Sequence, residues 1–460
     1  MRTKIASLVM LLLLLPMAGI RAQDKIKTWD ELDRRPIPKW WTDAKFGIFI
    51  HWGVYSVPAY APVKEVKGVY EKYAEHYEAR LKSGNKLFTE FHNHTYGKNF
   101  KYADFAPMFR AEHFRADDWV KLFRKAGARY VVLTSKHHDG FCLWNSRYSP
   151  HWNSVVMGPH MDIMDSISRA VTCQGMHFGF YYSLLEWSHP LYDKKTIGRW
   201  VDEHMLPQLQ ELVVKYKPDV IYADGEWDYD SETLKSRKFL SWLYDESPVR
   251  NSVVVNDRWG YETRSKHGDY YTTEYNLFHQ KEGIGDKASH PWEESRGIGT
   301  SYGYNRFERA EDYLSSKELI RLLVRTVANG GNLLLDVGPE ANGLIPVIMQ
   351  ERLLDMGKWL EVNGEAIYSS RPCRSLTVRN NNVYLTQAHG NLYVIGTECP
   401  DGPVVIDGIS KAGHSSLLGE TKGRIVATLR KGRLTVNIPP LSIFHLPSPL
   451  AWVVKVEGVY

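Results

Sequence analysis

Almost every short apolar run in the first three-quarters of the chain ends in a side chain that can donate, accept or carry charge. Phe46-Gly-Ile-Phe-Ile50 runs into His51, and Tyr130-Val-Val-Leu-Thr134 runs into Lys136-His-His-Asp-Gly140. His177-Phe-Gly-Phe-Tyr-Tyr-Ser183 carries Tyr181, and Asp219-Val-Ile-Tyr-Ala-Asp224 closes on Asp224. Arg258 ends the run from Ser252, Glu274 the run from Tyr270, and Asp336 the run from Asn332. Taken singly, each has an ordinary reading: a strand-end Asp caps the following helix, and a lone His is a satisfied hydrogen-bonding group. Taken together, they are the ingredients of glycoside cleavage. That chemistry needs one ionised and one protonated carboxyl group flanking the scissile bond.

Asp224 is the candidate for the ionised group and hence the nucleophile. It closes an apolar strand, Gly225 leaves its carboxylate accessible, and Tyr222 and Trp227 are placed to wall it. Arg258 is suited to keeping a neighbouring carboxylate ionised and to clamping hydroxyl groups. The proton donor must hold its proton, which requires an apolar setting or a like-charged neighbour. Glu274, Glu293 in His290-Pro-Trp-Glu-Glu294, and Glu75 all remain open on this criterion. His51, His137 and His138 can donate hydrogen bonds to sugar hydroxyls, and a pocket rich in imidazole and aromatic rings suits a neutral deoxy-sugar with an apolar methyl group.

Such groups converge only if the elements carrying them share one end of a sheet. The apolar runs read as strands buried on both faces, and helical patterns at Asp117–Ala126, Ile163–Val171, Met205–Tyr216 and Lys317–Ala328 separate them. Roughly eight such units fit an α/β fold of the (β/α)8 type, whose sites lie at the C-terminal ends of its strands. No G-x-G-x-x-G follows an early strand, which counts against a dinucleotide-binding sheet. The stretch from Ala61 to Tyr102 exceeds a simple connection and reads as a lid or as disorder. Beyond Asn363 the pattern changes to short alternating segments, among them Val383-Tyr-Leu and Leu434-Thr-Val-Asn-Ile438, which predict a small antiparallel β-sandwich domain.

Bulk properties narrow the partners. The 58 basic and 53 acidic residues leave a net charge of +5, too little to suggest nucleic acid. Arg2 and Lys4, the apolar run Ile5–Met17 and small residues up to Ala22 read as a signal peptide, giving an exported, periplasmic or secreted protein with no membrane insertion after its removal. Of four cysteines, Cys373 and Cys399 are candidates for pairing; no CxxC occurs, so no cysteine zinc site is expected. Neither metal nor cofactor is expected. Self-association into a homo-oligomer is left open.

Six long segments, in order, carry a resemblance. Phe46-Gly-Ile-Phe-Ile-His-Trp-Gly-Val-Tyr-Ser56, Lys136-His-His-Asp-Gly-Phe-Cys-Leu-Trp144, Phe178-Gly-Phe-Tyr-Tyr-Ser183, Val255-Asn-Asp-Arg-Trp-Gly260, Trp292–Asn305 and Gly330–Pro339 resemble the α-L-fucosidases of glycoside hydrolase family 29. The leader read over 1–22 precedes a catalytic barrel over 23–365, which the resemblance implies to be somewhat irregular, and the sandwich read over 366–460 follows it. The resemblance implies hydrolysis of terminal α-L-fucosyl linkages of glycans with retention, through a covalent intermediate on Asp224. Fucose contacts carry over to His51, Glu75, His137, His138, Tyr181 and Arg258. Tyr222 stands where relatives commonly have Trp, and His76 where many have Trp, so the pocket wall differs. Thr272-Thr-Glu-Tyr275 matches one branch in which Glu274 is the acid/base; Glu293 is the alternative, and the broad-specificity subfamily is the better match. The rival readings are a metal-dependent hydrolase on the same barrel and a fucose-binding lectin without catalysis.

Overall fold

The computed structural model describes residues 26–459 apart from 65, 67, 276–288, 399–401, 421–424 and 439–447. The segment over 1–22, read from the sequence as a signal peptide, and Cys399 lie outside the described residues. Eight parallel strands form one sheet: β1 (Phe46–Ile50), β2 (Tyr130–Lys136), β3 (His177–Ser183), β4 (Val220–Asp224), β5 (Val254–Val255), β6 (Tyr271–Glu274), β7 (Trp292–Gly297) and β8 (Gly331–Val337). Their order is β5-β4-β3-β2-β1-β8-β7-β6, so β1 pairs with β8 and the sheet curls towards a barrel. Among the described residues no ladder joins β5 to β6. Isolated backbone bonds and side chains stitch that seam instead: the Asp269 and Tyr270 amides donate to the Val255 carbonyl (3.1 and 3.4 Å), Asp257 Oδ1 accepts from the Thr272 amide (3.1 Å) and hydroxyl (2.7 Å), and Asp269 Oδ2 accepts from the Val255 amide (2.8 Å).

Inside the barrel, rings fill the space. Phe49, Tyr130, Tyr181, Tyr222 and Tyr270 belong to one buried interior cluster. Gly47 is required there, because a Cβ on it would stand 2.4 Å from the Tyr130 ring. Outside, amphipathic helices cover the sheet as the sequence predicts, over Ala116–Lys125, Ile163–Cys173, Leu206–Tyr216 and Ser316–Ala328. Asp162 caps the second of these, and Ser315 with Glu318 forms a capping box on the last. Among the elements that escape the sequence reading are the helix Ser236–Asp245 and strand β7. Strand β7 reads Trp-Glu-Glu-Ser-Arg-Gly, so no apolar run announces it although five of its six residues are buried. The fifth run, read as Ser252–Arg258, keeps only Val254–Val255 as strand because the chain breaks into the seam.

The excursion after β1 is ordered packing rather than open chain. It forms helices Tyr77–Lys82 and Lys86–Thr95 and a 3-10 segment Tyr102–Met108. Buried Tyr77, Phe88 and Phe105 join it to the main core, and Tyr60 stacks on Phe91 at 3.8 Å. Glu75, just before the first helix, is thereby held against the barrel mouth. The C-terminal part forms two antiparallel sheets of four and five strands around a core that includes Val394, Ile406, Leu434 and Trp452. The barrel helix Val347–Asn363 meets it through Trp359, whose indole donates to the Ala451 carbonyl (3.0 Å). Among the described residues no helix is long and apolar enough to cross a membrane.

Candidate active site

Parallel strands ending at one level bring their terminal side chains together at the barrel mouth. There a pocket of about 280 Å3 is lined by His51, Glu75, His137, Tyr181, Tyr222, Asp224, Arg258 and Glu274 among others. Tyr222 and Asp224 sit two residues apart on β4 and so face the same way. Gly225 follows with φ +76°, the left-handed conformation that turns the chain away from the carboxylate.

Asp224 is almost fully enclosed. Its Oδ1 accepts from Arg258 Nη1 at 2.6 Å and its Oδ2 from the Tyr181 hydroxyl at 2.8 Å, with His138 Nε2 3.5 Å away. Burial by itself would raise the pKa of this carboxyl. The Arg258 charge and the two hydrogen bonds outweigh burial and hold it below the usual value. Arg258, itself buried, reaches Glu274 Oε1 with its other terminal nitrogen at 2.5 Å and donates from Nε to Thr272 at 2.9 Å. One guanidinium therefore touches both carboxylates, a geometry only its planar fork permits.

The histidines form a neutral wall. His51 Nδ1 is hydrogen-bonded to Asp336 Oδ1 (2.7 Å), and burial pushes its pKa down to about 3. His138 Nδ1 bonds Ser183 Oγ at 2.6 Å, and His137 lies parallel to the Tyr181 ring at 5.4 Å. Burial lowers both of their pKa values well below that of free imidazole. Glu75 accepts from the Gly303 amide (2.8 Å) and the Ser301 hydroxyl (3.1 Å), yet burial still raises it to about 7. Tyr222, in the aromatic position before Asp224, lies 6.1 Å from Tyr181 in a near-parallel stack.

Two sequence candidates fall differently. Glu293 lies level with Thr272 on the neighbouring strand, whereas Glu274 pairs with Ser295. Glu293 is thus two residues deeper, about 6.6 Å down the barrel at 3.3 Å per residue. It accepts a hydrogen bond from Tyr130 inside the core, is not among the residues lining the pocket, and is raised by burial to about 8. His76 lines the pocket, as the resemblance implies, but the sequence reading missed the wall residues Phe49, Tyr73 and Tyr302. Phe49 and Tyr302 stand inside quoted motifs, so the strand-end rule could have reached them had it admitted aromatic as well as polar residues.

The site's geometry invites comparison with known proteins. A sequence profile of the α-L-fucosidase family matches residues 14–365. An α-L-fucosidase of Dictyostelium discoideum is 41% identical over 98% of this chain and 99% of its own. The chain belongs to the α-L-fucosidase family. It is thus a glycoside hydrolase, as its six motifs imply. A Thermotoga maritima α-fucosidase solved with a mechanism-based inhibitor superposes with TM-score 0.78 at 35% identity, over 94% of this chain and 99% of that one. An aspartate-to-glycine form of the Thermotoga enzyme, described as a fucosynthase and bound to a fucosyl disaccharide, gives TM-score 0.78 at 34% identity over 94% and 99% of the two chains. The barrel followed by a β-sandwich is the fold of these fucosidases.

A stability prediction arises from the buried acids of this fucosidase. Glu75, Glu293 and Asp139 have pKa values raised by burial to about 7, 8 and 7. Between the unfolded value of about 4 and these values the folded state binds more protons than the unfolded state, so stability falls as pH rises. Below about pH 6.5 the buried neutral imidazoles of His51, His137 and His138 act in the opposite sense, so the melting temperature should decline from about pH 6.5 to pH 8 in calorimetry. Glu293→Gln, which cannot ionise, should flatten that decline; an unchanged slope would remove Glu293 from the account.

Proposed function

We propose that the chain hydrolyses terminal α-L-fucosyl linkages of glycans with retention, with Asp224 as nucleophile and Glu274 as acid/base. The observation that carries this reading is the convergence of Asp224 and Glu274 on one pocket of sugar size, whose lining does not include Glu293. A retaining mechanism expects the two carboxyl groups about 5–5.5 Å apart. In the first step Asp224 attacks the anomeric carbon while Glu274 gives its proton to the departing oxygen. In the second, Glu274 takes a proton from water, and the hydroxide formed at the anomeric carbon displaces Asp224. One carboxylate charge persists throughout, on Asp224 before the ester forms and on Glu274 after it. Arg258 stands between the two positions of that charge.

His51, Glu75, His137, His138, Tyr181, Tyr222 and Arg258 bind the sugar in this reading. The neutral imidazoles serve its hydroxyls, and the rings of Phe49, Tyr222 and Tyr302 face its methyl group. The fucosynthase form of the Thermotoga relative lacks an aspartate, which supports a carboxylate nucleophile of this type. Catalysis belongs to residues 23–365, with 366–460 packed behind, and the leader over 1–22 directs export. The metallohydrolase and lectin readings find no support in the family match. The test is release of aryl alcohol from an aryl α-L-fucoside, followed by NMR. The expected first product is α-L-fucose; β-L-fucose or no turnover would overturn the reading.

A further inference from the structure

A second cavity of about 380 Å3 shares no lining residue with the first, and Tyr102, Asp139, Trp152, Glu186 and His189 contribute to its wall. Glu186 and His189 come from the loop after β3. His204 reaches the same point from the turn Val201–Met205, a π-type turn of the kind concentrated at functional sites. One ligand-capable atom from each of Glu186, His189 and His204 lies within 4.8 Å of the others. Tetrahedral zinc with bonds of about 2.0–2.2 Å would draw such atoms only somewhat closer.

Three observations go beyond this clustering. His204 is buried, and its Nε2 stands 3.0 Å from Glu186 Oε2 without making a hydrogen bond of sound geometry. The backbone makes room for the carboxyl, since a Cβ on Gly140 would stand 2.3 Å from Glu186 Oε1. Two of the three groups also line the cavity, leaving coordination positions open towards it. Around the cluster, Lys136 Nζ lies 3.3 Å from Glu186 Oε2, to which the Trp200 indole also donates at 3.0 Å. Lys136 already balances the single carboxylate charge. A hard cation such as calcium, which draws its affinity from several oxygens, is therefore poorly served. A borderline ion that binds imidazole nitrogen is better served.

We propose that Glu186, His189 and His204 form a structural site for a borderline divalent transition metal, zinc foremost. Binding trades the hydrogen bond that His189 Nδ1 accepts from the Leu191 amide (3.1 Å) for a coordinate bond. The same loop carries Trp187, whose ring lies 5.1 Å from that of His138 and 5.6 Å from that of His76. The metal would therefore pin one wall of the fucose pocket to the helix that begins at Leu206, without touching the sugar.

The experiment uses the full chain stripped with chelator and then titrated separately with zinc, nickel and calcium chloride. Zinc and nickel should raise the melting temperature by a few degrees and calcium should not, and dialysed protein should retain about one zinc per chain. His189→Ala is the test variant, because His189 is only half-buried and its loss spares the Lys136–Glu186 pair. It should weaken zinc binding by more than the roughly 10–100-fold typical of losing an outer-shell partner, while turnover stays as in the parent. A zinc shift that persists in His189→Ala would place the ion on the imidazoles of the first pocket and overturn the proposal. A calcium response equal to that of zinc, or no retained zinc, would overturn it as well.

Discussion

Asp224→Gly should lower turnover of an aryl α-L-fucoside by about four orders of magnitude or more, the scale seen when a nucleophile is removed from an intact catalytic site. Several groups act through this one carboxylate. Tyr181 and Arg258 both donate to it, and Arg258 is itself buried with Glu274 on its other side. Deleting the carboxylate removes the covalent path but leaves a cavity beside Gly225. Azide should fill that cavity and restore turnover, giving a fucosyl azide of inverted configuration that NMR can identify. The Arg258 charge keeps a partner in Glu274, so the fold should survive, to be checked by circular dichroism. Turnover within tenfold of the parent would reassign the nucleophile.

How far the sequence showed this site depends on how each residue reaches it. Asp224, His51, Tyr181 and Glu274 were legible because each ends or nearly ends a strand, and parallel strands deliver their ends to one place, whereas Arg258 lies three residues past the short strand β5 and was legible from the apolar run before it. Glu75 was open from the residues only as one of three proton-donor candidates, and its role as a sugar contact came through family resemblance. It lies in the excursion, and its position depends on Tyr77, Phe88 and Phe105 packing that segment against the barrel. Strand β7 shows the opposite failure. Its glutamates are buried by the barrel around them, and a rule that reads burial from apolar runs is blind to it. The missing ladder between β5 and β6 was equally unreadable, because two backbone bonds to the Val255 carbonyl and the side chains of Asp257 and Asp269 take its place across the seam.

The same register separates the two acid/base candidates. Glu274→Ala should slow substrates with poor leaving groups by about 10^2–10^4-fold, the usual range for a general acid, and activated aryl fucosides far less in the fucosylation step. An activated leaving group needs no proton, so only the second step then feels the loss, and azide should relieve that step as well. Glu293 makes the contrasting case. Two residues deeper and bound to Tyr130, it cannot reach a glycosidic oxygen held over Asp224 without dismantling the ring-packed interior. Glu293→Gln should therefore shift stability with pH while leaving the dependence on leaving group unchanged. If instead Glu293→Gln steepens that dependence and Glu274→Ala leaves it flat, the roles are reversed, and the interior must open during catalysis. The wall supports the first outcome. Arg258 Nη2 stands 2.5 Å from Glu274 Oε1 in an ion pair, so Glu274 can take up, beside that guanidinium, the charge that Asp224 gives up on forming the ester.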